Sequence, residues 1–265
     1  MYSLNGQFFT NDKLNISLDN RGVMYGDGVF ETIRVQGSEF IFLEQHLARL
    51  SKACEVLSLD LDIKKISEHL FNYLSTSELK TCLVKLYVTR KPGGLFEPVD
   101  NNVDVLITNR KSKTLLENKK NVKIFTAFAK NFSVLSPYKT LNSLPYVLAG
   151  LYKKQTKSDE IILINSEGNI VECLYSNVIW IKNNVCYTPS LSTGCVDGVM
   201  LANIRLYLQK QGIEIQTGEY QVNDLLVADC VITSNVNAIQ YLEQIENKKY
   251  NTCNKLVEDL KRTFF

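Results

Sequence analysis

The sequence predicts an α+β protein built from two domains. Helical and strand-like hydrophobic patterns occur together in both halves of the 265 residues, and that mixture is typical of α+β domains. The length fits one large domain or two small ones. A polar, basic stretch at 110–121 interrupts the hydrophobic pattern, as a solvated linker does. We therefore expect a smaller N-terminal domain at 1–117 and a larger C-terminal domain at 118–265.

In the N-terminal half, short strands separated by turns come first. Gly, Asn, Asp and Ser mark turns at 5–6, 19–22, 26–28 and 36–38. The alternation of residues 29–35 predicts a half-buried strand. Apolar residues at helical spacing predict helices at about 44–58 and 63–75. Two further strands are predicted at 81–89 and 103–109, joined by a turn at 92–94.

The C-terminal half repeats this mixture of elements. Strands are predicted at 122–129, 161–165, 177–182 and 230–234, with a turn at 167–169. Helices are predicted at 144–156, 199–211 and 252–262. The second of these should end at Gly212, because glycine readily adopts the left-handed conformation of a helix C-cap.

The charge balance and the hydropathy argue against nucleic-acid and membrane partners. The 30 Lys and Arg residues face 28 Asp and Glu residues, so the net charge is +2. Such a balance supplies neither the counterion release that holds DNA nor attraction to anionic membranes. No stretch approaches about 18 uninterrupted apolar residues, and residues 1–6 lack a basic region followed by an apolar core. We expect a soluble, cytoplasmic protein that acts on a small molecule.

Cysteine and histidine usage narrows the chemistry. The seven Cys residues are scattered without a C-x-x-C pair, which suits free thiols in a reducing compartment rather than a disulfide framework or a zinc ribbon. Two His residues, His46 and His69, are too few for a multi-histidine site, and we expect no metal. A Ser-His-Asp hydrolase would have to use one of them. Because His46 opens a helical stretch, we expect a surface or capping residue there.

Two ionisable residues are candidates for chemistry. Lys139 lies in a loop directly before a helix. Its amine would act as a nucleophile or base at neutral pH only if burial or neighbouring cations lowered its pKa, and a solvated surface charge is the alternative. Glu172 lies in a strand-like run with apolar flanks. A carboxylate there needs a cationic or proton-sharing partner, unless it is exposed at the edge of the strand.

Two loops rich in small residues are candidates for binding an anion. Residues 193–200 form a glycine-bracketed helix start, where backbone amides and the helix dipole favour phosphate. Their spacing matches no nucleotide-binding motif, so an ordinary loop is the alternative. Thr233, Ser234 and Asn235 follow a buried-looking strand and could hold a phosphate or form a turn.

Taken together, these features meet the needs of one cofactor. Pyridoxal 5′-phosphate requires a covalent lysine, an acid beside its ring nitrogen, and a phosphate site with a cation. Lys139, Glu172, Arg49 and the two small-residue loops would supply them. Five blocks carry a family resemblance: YGDGVFET at 25–32, HLARL at 46–50, KTLN at 139–142, VE at 171–172 with SNV at 176–178, and YTP at 187–189 through GVM at 198–200. In these blocks the sequence resembles the class IV, or fold-type IV, pyridoxal-phosphate enzymes, which include branched-chain aminotransferases, D-amino acid aminotransferases and aminodeoxychorismate lyases.

The resemblance implies a D-amino acid aminotransferase-like fold of two domains, a homodimer and an amino substrate. It implies that Lys139, in the C-terminal domain, binds the cofactor covalently, that Arg49 binds its phosphate, and that Glu172 contacts its ring nitrogen. It also assigns cofactor binding to a second set: Asn177, the backbone amides of Val199 and Met200, Ser234 and Asn235.

For the substrate, the segment at 187–199 looks most like that of aminodeoxychorismate lyases. The loop at 91–100 lacks the Arg and the His that D-amino acid aminotransferases carry there. Leu95 stands in this loop where some lyases have a second Arg, and Leu201 stands where the family usually has Arg. We expect Phe30 to bind substrate, and we expect the cations for two substrate carboxylates among this set: Arg34, Arg90 and Lys91.

Three functions are open at this point. The first is a lyase that converts 4-amino-4-deoxychorismate to 4-aminobenzoate and pyruvate, with Lys139 as the base at Cα. The second is an aminotransferase for branched-chain or other amino acids, which uses the same lysine and needs a 2-oxo acid acceptor. The third is a non-catalytic binding protein on the same fold.

Overall fold

A computed structural model describes residues 1–10, 16–112 and 117–265. The described residues form two compact units: unit 1 comprises Met1–Lys113 with Tyr138–Asn142, and unit 2 comprises Thr114–Pro137 with Ser143–Phe265. Helices and strands are mixed in each unit, which confirms the predicted α+β class. Of the predicted linker, residues 113–116 lie outside the described residues. A domain boundary near residue 118 stays a prediction.

One segment departs from the predicted domain ranges. Tyr138–Asn142 follows residue 118 in sequence but packs in unit 1, because it pairs with the start of strand β3 (Gly28–Gln36). The amide of Phe30 donates to the carbonyl of Lys139 over 2.8 Å, and a second backbone bond links Leu141 to β3. Lys139 is therefore fixed to the sheet of unit 1.

Unit 1 is built on a six-stranded antiparallel sheet. In spatial order its strands are β2 (Gln7–Phe9), β1 (Tyr2–Leu4), β6 (Val103–Lys111), β5 (Cys82–Arg90), β3 and β4 (Glu39–Phe40). The alternation predicted for residues 29–35 is present, since Val29, Ile33 and Val35 are buried on one face of β3. Glu31 shares that face, because side chains two residues apart point the same way in a strand.

Three helices complete unit 1: α1 (Arg21–Tyr25), α2 (Leu43–Val56) and α3 (Ile63–Thr76). A short helix, α1, follows the predicted turn because the Asn20 side chain accepts from the amide of Val23 and caps its start. The next helix, α2, packs on β3. Asp62 caps α3. The helices predicted at 44–58 and 63–75 are confirmed within two residues at each end.

Unit 2 contains two five-stranded sheets with mixed directions. One has the order β12 (Ile215–Gly218), β11 (Val185–Pro189), β10 (Asn177–Lys182), β13 (Cys230–Asn235), β14 (Ala238–Tyr241); the other has the order β16 (Lys248–Lys249), β15 (Gln244–Ile245), β7 (Val122–Phe125), β8 (Glu160–Ile164), β9 (Ile170–Cys173). Strand β12 runs parallel to β11, and β7 runs parallel to both of its neighbours. Val122, Ile162, Trp180 and Val231 belong to the buried core of this unit.

The helices of unit 2 are α4 (Leu144–Thr156), α5 (Val199–Lys210), α6 (Val222–Leu226) and α7 (Lys255–Phe264). Two elements, α4 and β10, have the predicted bounds, and α5 ends before Gly212, whose φ of +69° is left-handed. The strand predicted at 122–129 ends early, at Phe125. The helix predicted at 252–262 begins late, because Asn254 caps it. In the described part of the chain, no helix has the length and apolar content to cross a membrane.

Candidate active site

Lys139 lies beside the start of β3 with its amine over an aromatic ring. Its Nζ is 4.9 Å from the centroid of the Phe30 ring, and the Nζ of Lys85 is 5.6 Å from the same centroid. The backbone bond between Phe30 and Lys139 fixes both residues at one point of the sheet. The structure thus brings together two residues of the predicted site, a half-buried amine and an aromatic face.

Arg49 is held by the carboxylate of Glu31, a residue that is not among the predicted site residues. Its Nε donates to Oε1 of Glu31 over 2.7 Å, and its Nη2 donates to Oε2 over 2.6 Å. Burial raises the pKa of the Glu31 carboxyl, but the charge of Arg49 and the hydrogen bonds from His46 and Arg49 outweigh burial and lower it to about 2. Glu31 is therefore an anion that fixes the plane of the Arg49 guanidinium.

His46 is not the surface or capping residue expected from its place in the sequence. Its side chain is fully buried, and its Nδ1 lies 2.8 Å from Oε2 of Glu31. The expectation is wrong because His46 lies one helical turn before Arg49, on the side of α2 that meets the inward Glu31. The sequence held one signal for this contact, since a carboxylate on the buried face of an alternating strand requires partners.

Arg90 has structural partners in unit 1. Its Nε lies 2.9 Å from Oδ2 of Asp27, its Nη1 donates to Oδ1 of Asn101 over 2.5 Å, and its Nη2 donates to a main-chain carbonyl. A substrate carboxylate would have to displace these contacts. Arg34 is buried, and burial lowers the pKa of its guanidinium, whereas Lys91 is exposed. Substrate binding by these three cations stays a prediction.

The loop at 91–100 is tied to unit 1 by Arg21. Its Nη1 donates to three successive carbonyls, those of Gly93, Gly94 and Leu95, over 3.0, 3.2 and 2.6 Å. The side chain of Leu95 is 72% exposed, while Leu201 is buried in the first turn of α5. Both side chains are apolar, so neither position offers a cation to a substrate.

Glu172 is buried in β9 and has three partners. Its Oε1 accepts from the hydroxyl of Tyr146 over 2.6 Å and lies 3.2 Å from Nζ of Lys130, and its Oε2 accepts from the amide of Val196 over 3.1 Å. Only 3% of the residue is exposed. The expected need for a cationic or proton-sharing partner is confirmed, and exposure at the strand edge is wrong for this residue. Donors on both oxygens are what an ionised carboxylate requires.

Two partners of Glu172, Lys130 and Tyr146, are not predicted by the sequence. Burial and the charge of Glu172 raise the pKa of the Tyr146 hydroxyl, so this group stays protonated and donates. The two residues come from a loop and from α4, both distant from β9 in sequence. No local pattern marks such partners, because they are defined only when the chain folds.

Asn177 supports the start of α5. Its Nδ2 donates to the carbonyl of Val196 over 2.8 Å, and a Cβ at Gly198 would collide with its side-chain oxygen. Gly198 is the N-cap of α5, and the side chains of Val199 and Met200 are buried behind it. The first amides of a helix have no partner within the helix and favour anions. The amides of Val199 and Met200 are therefore suited to a phosphate group.

Ser234 lies opposite Asn177, because β13 pairs antiparallel with β10. Its Oγ is buried, and within the described residues it has no hydrogen-bond partner. An unpartnered buried hydroxyl is costly, so a bound anion would supply the missing acceptor. Asn235 behaves differently, since its Oδ1 accepts from the amides of Asn237 and Ala238 and forms a turn.

Each unit by itself carries groups that fit the cofactor predicted from the sequence. In unit 2 the unpartnered hydroxyl of Ser234 and the start of α5 suit a phosphate, and Glu172 suits a protonated ring nitrogen; in unit 1 Lys139 supplies an amine. In residues 1–10, 16–112 and 117–265, no cluster of three or more His, Cys, Asp or Glu side chains is placed to hold a metal ion.

The chain is similar to known proteins along almost all of its length. Residues 28–240 match the family model for amino-transferases of class IV. The chain is 28% identical over 264 residues to the aminodeoxychorismate lyase of Bacillus subtilis (strain 168), covering 95% of this chain and 89% of the relative. It is 26% identical over 250 residues to the D-alanine aminotransferase of Bacillus licheniformis, covering 88% and 84%.

The fold is similar to that of a solved structure. The crystal structure of 4-amino-4-deoxychorismate lyase from Pseudomonas aeruginosa matches with a TM-score of 0.91 and covers 99% of this chain and 97% of that one. The two sequences are 23% identical, so the likeness is evidence for a shared fold. That fold is the one the sequence resemblance implies.

Proposed function

Because the chain belongs to the class IV aminotransferase family, whose enzymes depend on pyridoxal 5′-phosphate, we propose that it is a 4-amino-4-deoxychorismate lyase. The reaction releases 4-aminobenzoate and pyruvate. The observation that carries this choice is the segment at 187–199, which looks most like that of aminodeoxychorismate lyases; the loop at 91–100, which has neither the Arg nor the His of D-amino acid aminotransferases, argues against that one alternative. The similarity to an aminodeoxychorismate lyase over 95% of the chain supports the same choice.

Lys139 is the proposed catalytic residue. When bound, the cofactor holds the amino substrate covalently, and its ring withdraws electrons from the substrate Cα. Lys139 holds the cofactor and then accepts the Cα proton at its Nζ. Its backbone is anchored to β3, so the amine stays tethered near its target. The ring of Phe30 lies over one side of the amine, with its centroid 4.9 Å from Nζ.

Glu172 is the proposed partner of the ring nitrogen. Its carboxylate holds a proton there by accepting a hydrogen bond, which keeps the ring electron-withdrawing. The donors Tyr146 and Val196 support this role, because they fix both carboxylate oxygens in place.

The phosphate is proposed to bind through several groups. In unit 2 these are the hydroxyl of Ser234 and the amides of Val199 and Met200, with Asn177 and Asn235 shaping the surrounding backbone. In unit 1 the guanidinium of Arg49, oriented by Glu31, supplies the cation. Both assignments are supported by the donor chemistry, since charged hydrogen bonds to phosphate are among the strongest.

Two substrate carboxylates require cations near the reacting centre. Arg34 and Lys91 are the proposed partners, with Phe30 against the substrate. Arg90 is the weakest candidate because Asp27 and Asn101 already occupy its guanidinium. At a net charge of +2 the whole molecule attracts a doubly anionic substrate only weakly, so local cations must provide the attraction.

The protein is further proposed to be a cytoplasmic homodimer. On α4, Leu144, Val147, Leu148 and Leu151 are exposed at helical spacing. Such a contiguous apolar face is typical of a surface that another chain covers. All seven cysteines are free thiols, which supports a reducing compartment.

An assay without an acceptor tests the reaction. The protein loaded with pyridoxal 5′-phosphate is mixed with 4-amino-4-deoxychorismate in the absence of any 2-oxo acid. We expect 4-aminobenzoate to appear, as followed by its fluorescence, and pyruvate to appear in equal amount. Turnover that occurs only when 2-oxoglutarate or pyruvate is added would contradict the lyase.

An aminotransferase is the second candidate. It is favoured by the similarity to a D-alanine aminotransferase at nearly the same identity, 26%, and by Leu95 and Leu201, which stand where members of the family have Arg. It is tested in the same assay with amino acids and 2-oxo acids as substrates. A protein that binds the cofactor and turns over neither substrate set would instead be a binding protein on this fold.

A further inference from the structure

Lys130 is a buried lysine that the proposed function does not use. Its side chain is 10% exposed, and its backbone amide donates to the carbonyl of Ile164 over 2.9 Å. Its Nζ lies 3.2 Å from Oε1 of Glu172, donates to the carbonyl of Gly194, and lies 5.6 Å from the centroid of the Tyr146 ring. Each of these three contacts belongs to the surroundings of Glu172.

The close approach of Lys130 depends on Gly194. A Cβ at Gly194 would lie 2.8 Å from the carbonyl carbon of Asn131, the residue after Lys130, and Gly194 has a φ of +102°, which favours glycine. The loop of Gly194 therefore rests on the segment that carries Lys130. Two residues later in that loop, the amide of Val196 donates to Oε2 of Glu172. Lys130 contacts both the carboxylate and the loop that binds its other oxygen.

We propose that Lys130 is a positioning residue that keeps Glu172 anionic and in place for the ring nitrogen. The inference rests on the proposed role of Glu172 toward that nitrogen. Tyr146 and Val196 are neutral donors, which satisfy hydrogen bonds but do not balance the charge of a buried carboxylate. A buried charge that loses its counterion is unstable and takes its neutral form. A neutral carboxyl cannot stabilise a protonated ring nitrogen.

The other titratable groups around Glu172 do not replace this cation. Three titratable neighbours lie around it, on β9, on α4 and in the loop before α5: Cys173, Tyr146 and Cys195. Burial, followed by negative charges that include Glu172, raises the pKa of each of them, so all three stay neutral near pH 7. The charge of Glu160 also raises the pKa of Cys173, and the charge of Arg205 lowers the pKa of Cys195 in part. Among the described residues of unit 2, the cation that forms an ion pair with Glu172 is Lys130.

Three single variants test the charge separately from the hydrogen bond. Lys130→Gln keeps a donor without a charge, Lys130→Arg keeps the charge, and Lys154→Gln on the exposed side of α4 is the matched control. Each protein is loaded with pyridoxal 5′-phosphate. The absorbance of the bound cofactor is followed against pH, and kcat and KM are measured at neutral pH.

In Lys130→Gln we expect the midpoint of the absorbance change that the bound cofactor shows on acidification to rise by about 1 pH unit or more, because the counterion of the carboxylate is lost. We expect kcat to fall about 10-fold or more while KM changes less. Lys130→Arg and Lys154→Gln should keep the wild-type transition. A wild-type transition in Lys130→Gln would reduce Lys130 to a hydrogen-bond donor and overturn the proposal.

A double variant covers the case in which Lys130→Gln does not fold. Lys130→Gln combined with Glu172→Gln leaves no buried unpaired charge, whereas each single variant leaves one member of the pair without its counterion. The double variant should therefore be at least as stable as either single variant, and a double variant less stable than Lys130→Gln would overturn the proposal. Glu172→Gln alone distinguishes a failure of the proposed role of Glu172 from a failure of the inference about Lys130. A wild-type spectrum in that variant removes the role of Glu172, whereas a changed spectrum with a wild-type Lys130→Gln removes only the inference about Lys130.

Discussion

His46 Nδ1 lies 2.8 Å from Oε2 of Glu31, and Arg49 binds the same carboxylate through two more hydrogen bonds. The three residues link the inner face of β3 to α2. Because Glu31 and His46 are both buried, the folded state depends on the charge of this carboxylate. The network also sets the orientation of Arg49, the cation proposed for the phosphate.

Glu31→Gln should destabilise the protein in a pH-dependent way. The pKa of Glu31 is about 2 in the folded protein against an ordinary value of 4.5. Its contribution is therefore complete above about pH 4.5 and is lost as the pH falls toward 2, and it amounts to about 3 kcal/mol from the shift. Urea unfolding at pH 7 and at lower pH measures it. The exposed Glu39→Gln is the control, and a Glu31→Gln deficit that does not shrink on acidification would contradict the account.

Ser234→Ala should separate stability from cofactor binding. Without a ligand the buried hydroxyl lacks a partner within the described residues, so its removal should leave the free energy of unfolding unchanged or raise it by about 1 kcal/mol. Binding of pyridoxal 5′-phosphate should weaken by about 10-fold, because a hydrogen bond to a charged phosphate is lost. Fluorescence titration measures this. Pyridoxal, which has no phosphate, should bind the wild-type protein and Ser234→Ala equally. If Ser234→Ala lost the same factor of affinity for pyridoxal, the hydroxyl would not act on the phosphate.

Two glycine substitutions should act in opposite directions. In Gly198→Ala the new Cβ displaces the amide of Asn177 from the start of α5, which should cost about 1–3 kcal/mol. In Gly150→Ala, within α4, the Cβ meets no atom within 4 Å, and the higher helix propensity of alanine should add about 0.5–1 kcal/mol. Urea unfolding of both variants checks the two signs. A neutral Gly198→Ala would show that Asn177 is free to move.

Arg90→Ala should lower stability more than substrate affinity. Removing the guanidinium leaves Asp27 and Asn101 without one of their partners, and breaking such a largely buried ion pair costs about 3–5 kcal/mol. Lys91→Ala, at the exposed neighbouring position, should leave stability unchanged and test substrate attraction alone. Thermal unfolding together with KM measures both effects. A raised KM at unchanged stability in Arg90→Ala would instead assign Arg90 to the substrate.

The parts of the fold that sequence could predict are those governed by local spacing. The bounds of α4 and β10 follow from hydrophobic periodicity and flanking turn residues, and Gly212 ends α5 where a left-handed residue is needed. Pairings between distant segments carry no such signal. The pairing of Ile245 with Val122, for example, joins β15 to β7 across most of unit 2.

In the candidate site, too, the features that depend on local sequence could be predicted and the contacts between distant segments could not. The need of Glu172 for a partner follows from its apolar flanks, but the identity of Lys130 and Tyr146 depends on the folded chain. The surface position predicted for His46 is wrong because its partner Glu31, on the inward face of β3, buries it, whereas a residue at a helix start is usually exposed. The roles of the site residues toward the cofactor are predicted from the order of the motifs along the chain. Composition and periodicity could not predict them.

Lys139→Ala should abolish covalent attachment of the cofactor. Borohydride reduction of the loaded wild-type protein should fix the cofactor to the chain, and peptide mass spectrometry should place it on Lys139, because the proposal requires this amine to form the bond. Lys139→Ala should remain unlabelled, and its rate should fall about 10²- to 10⁴-fold through loss of the base. Lys85→Ala is the matched control, since the Nζ of Lys85 lies 5.6 Å from the same Phe30 ring centroid. Label on Lys85 in the wild-type protein would transfer the covalent role to that residue.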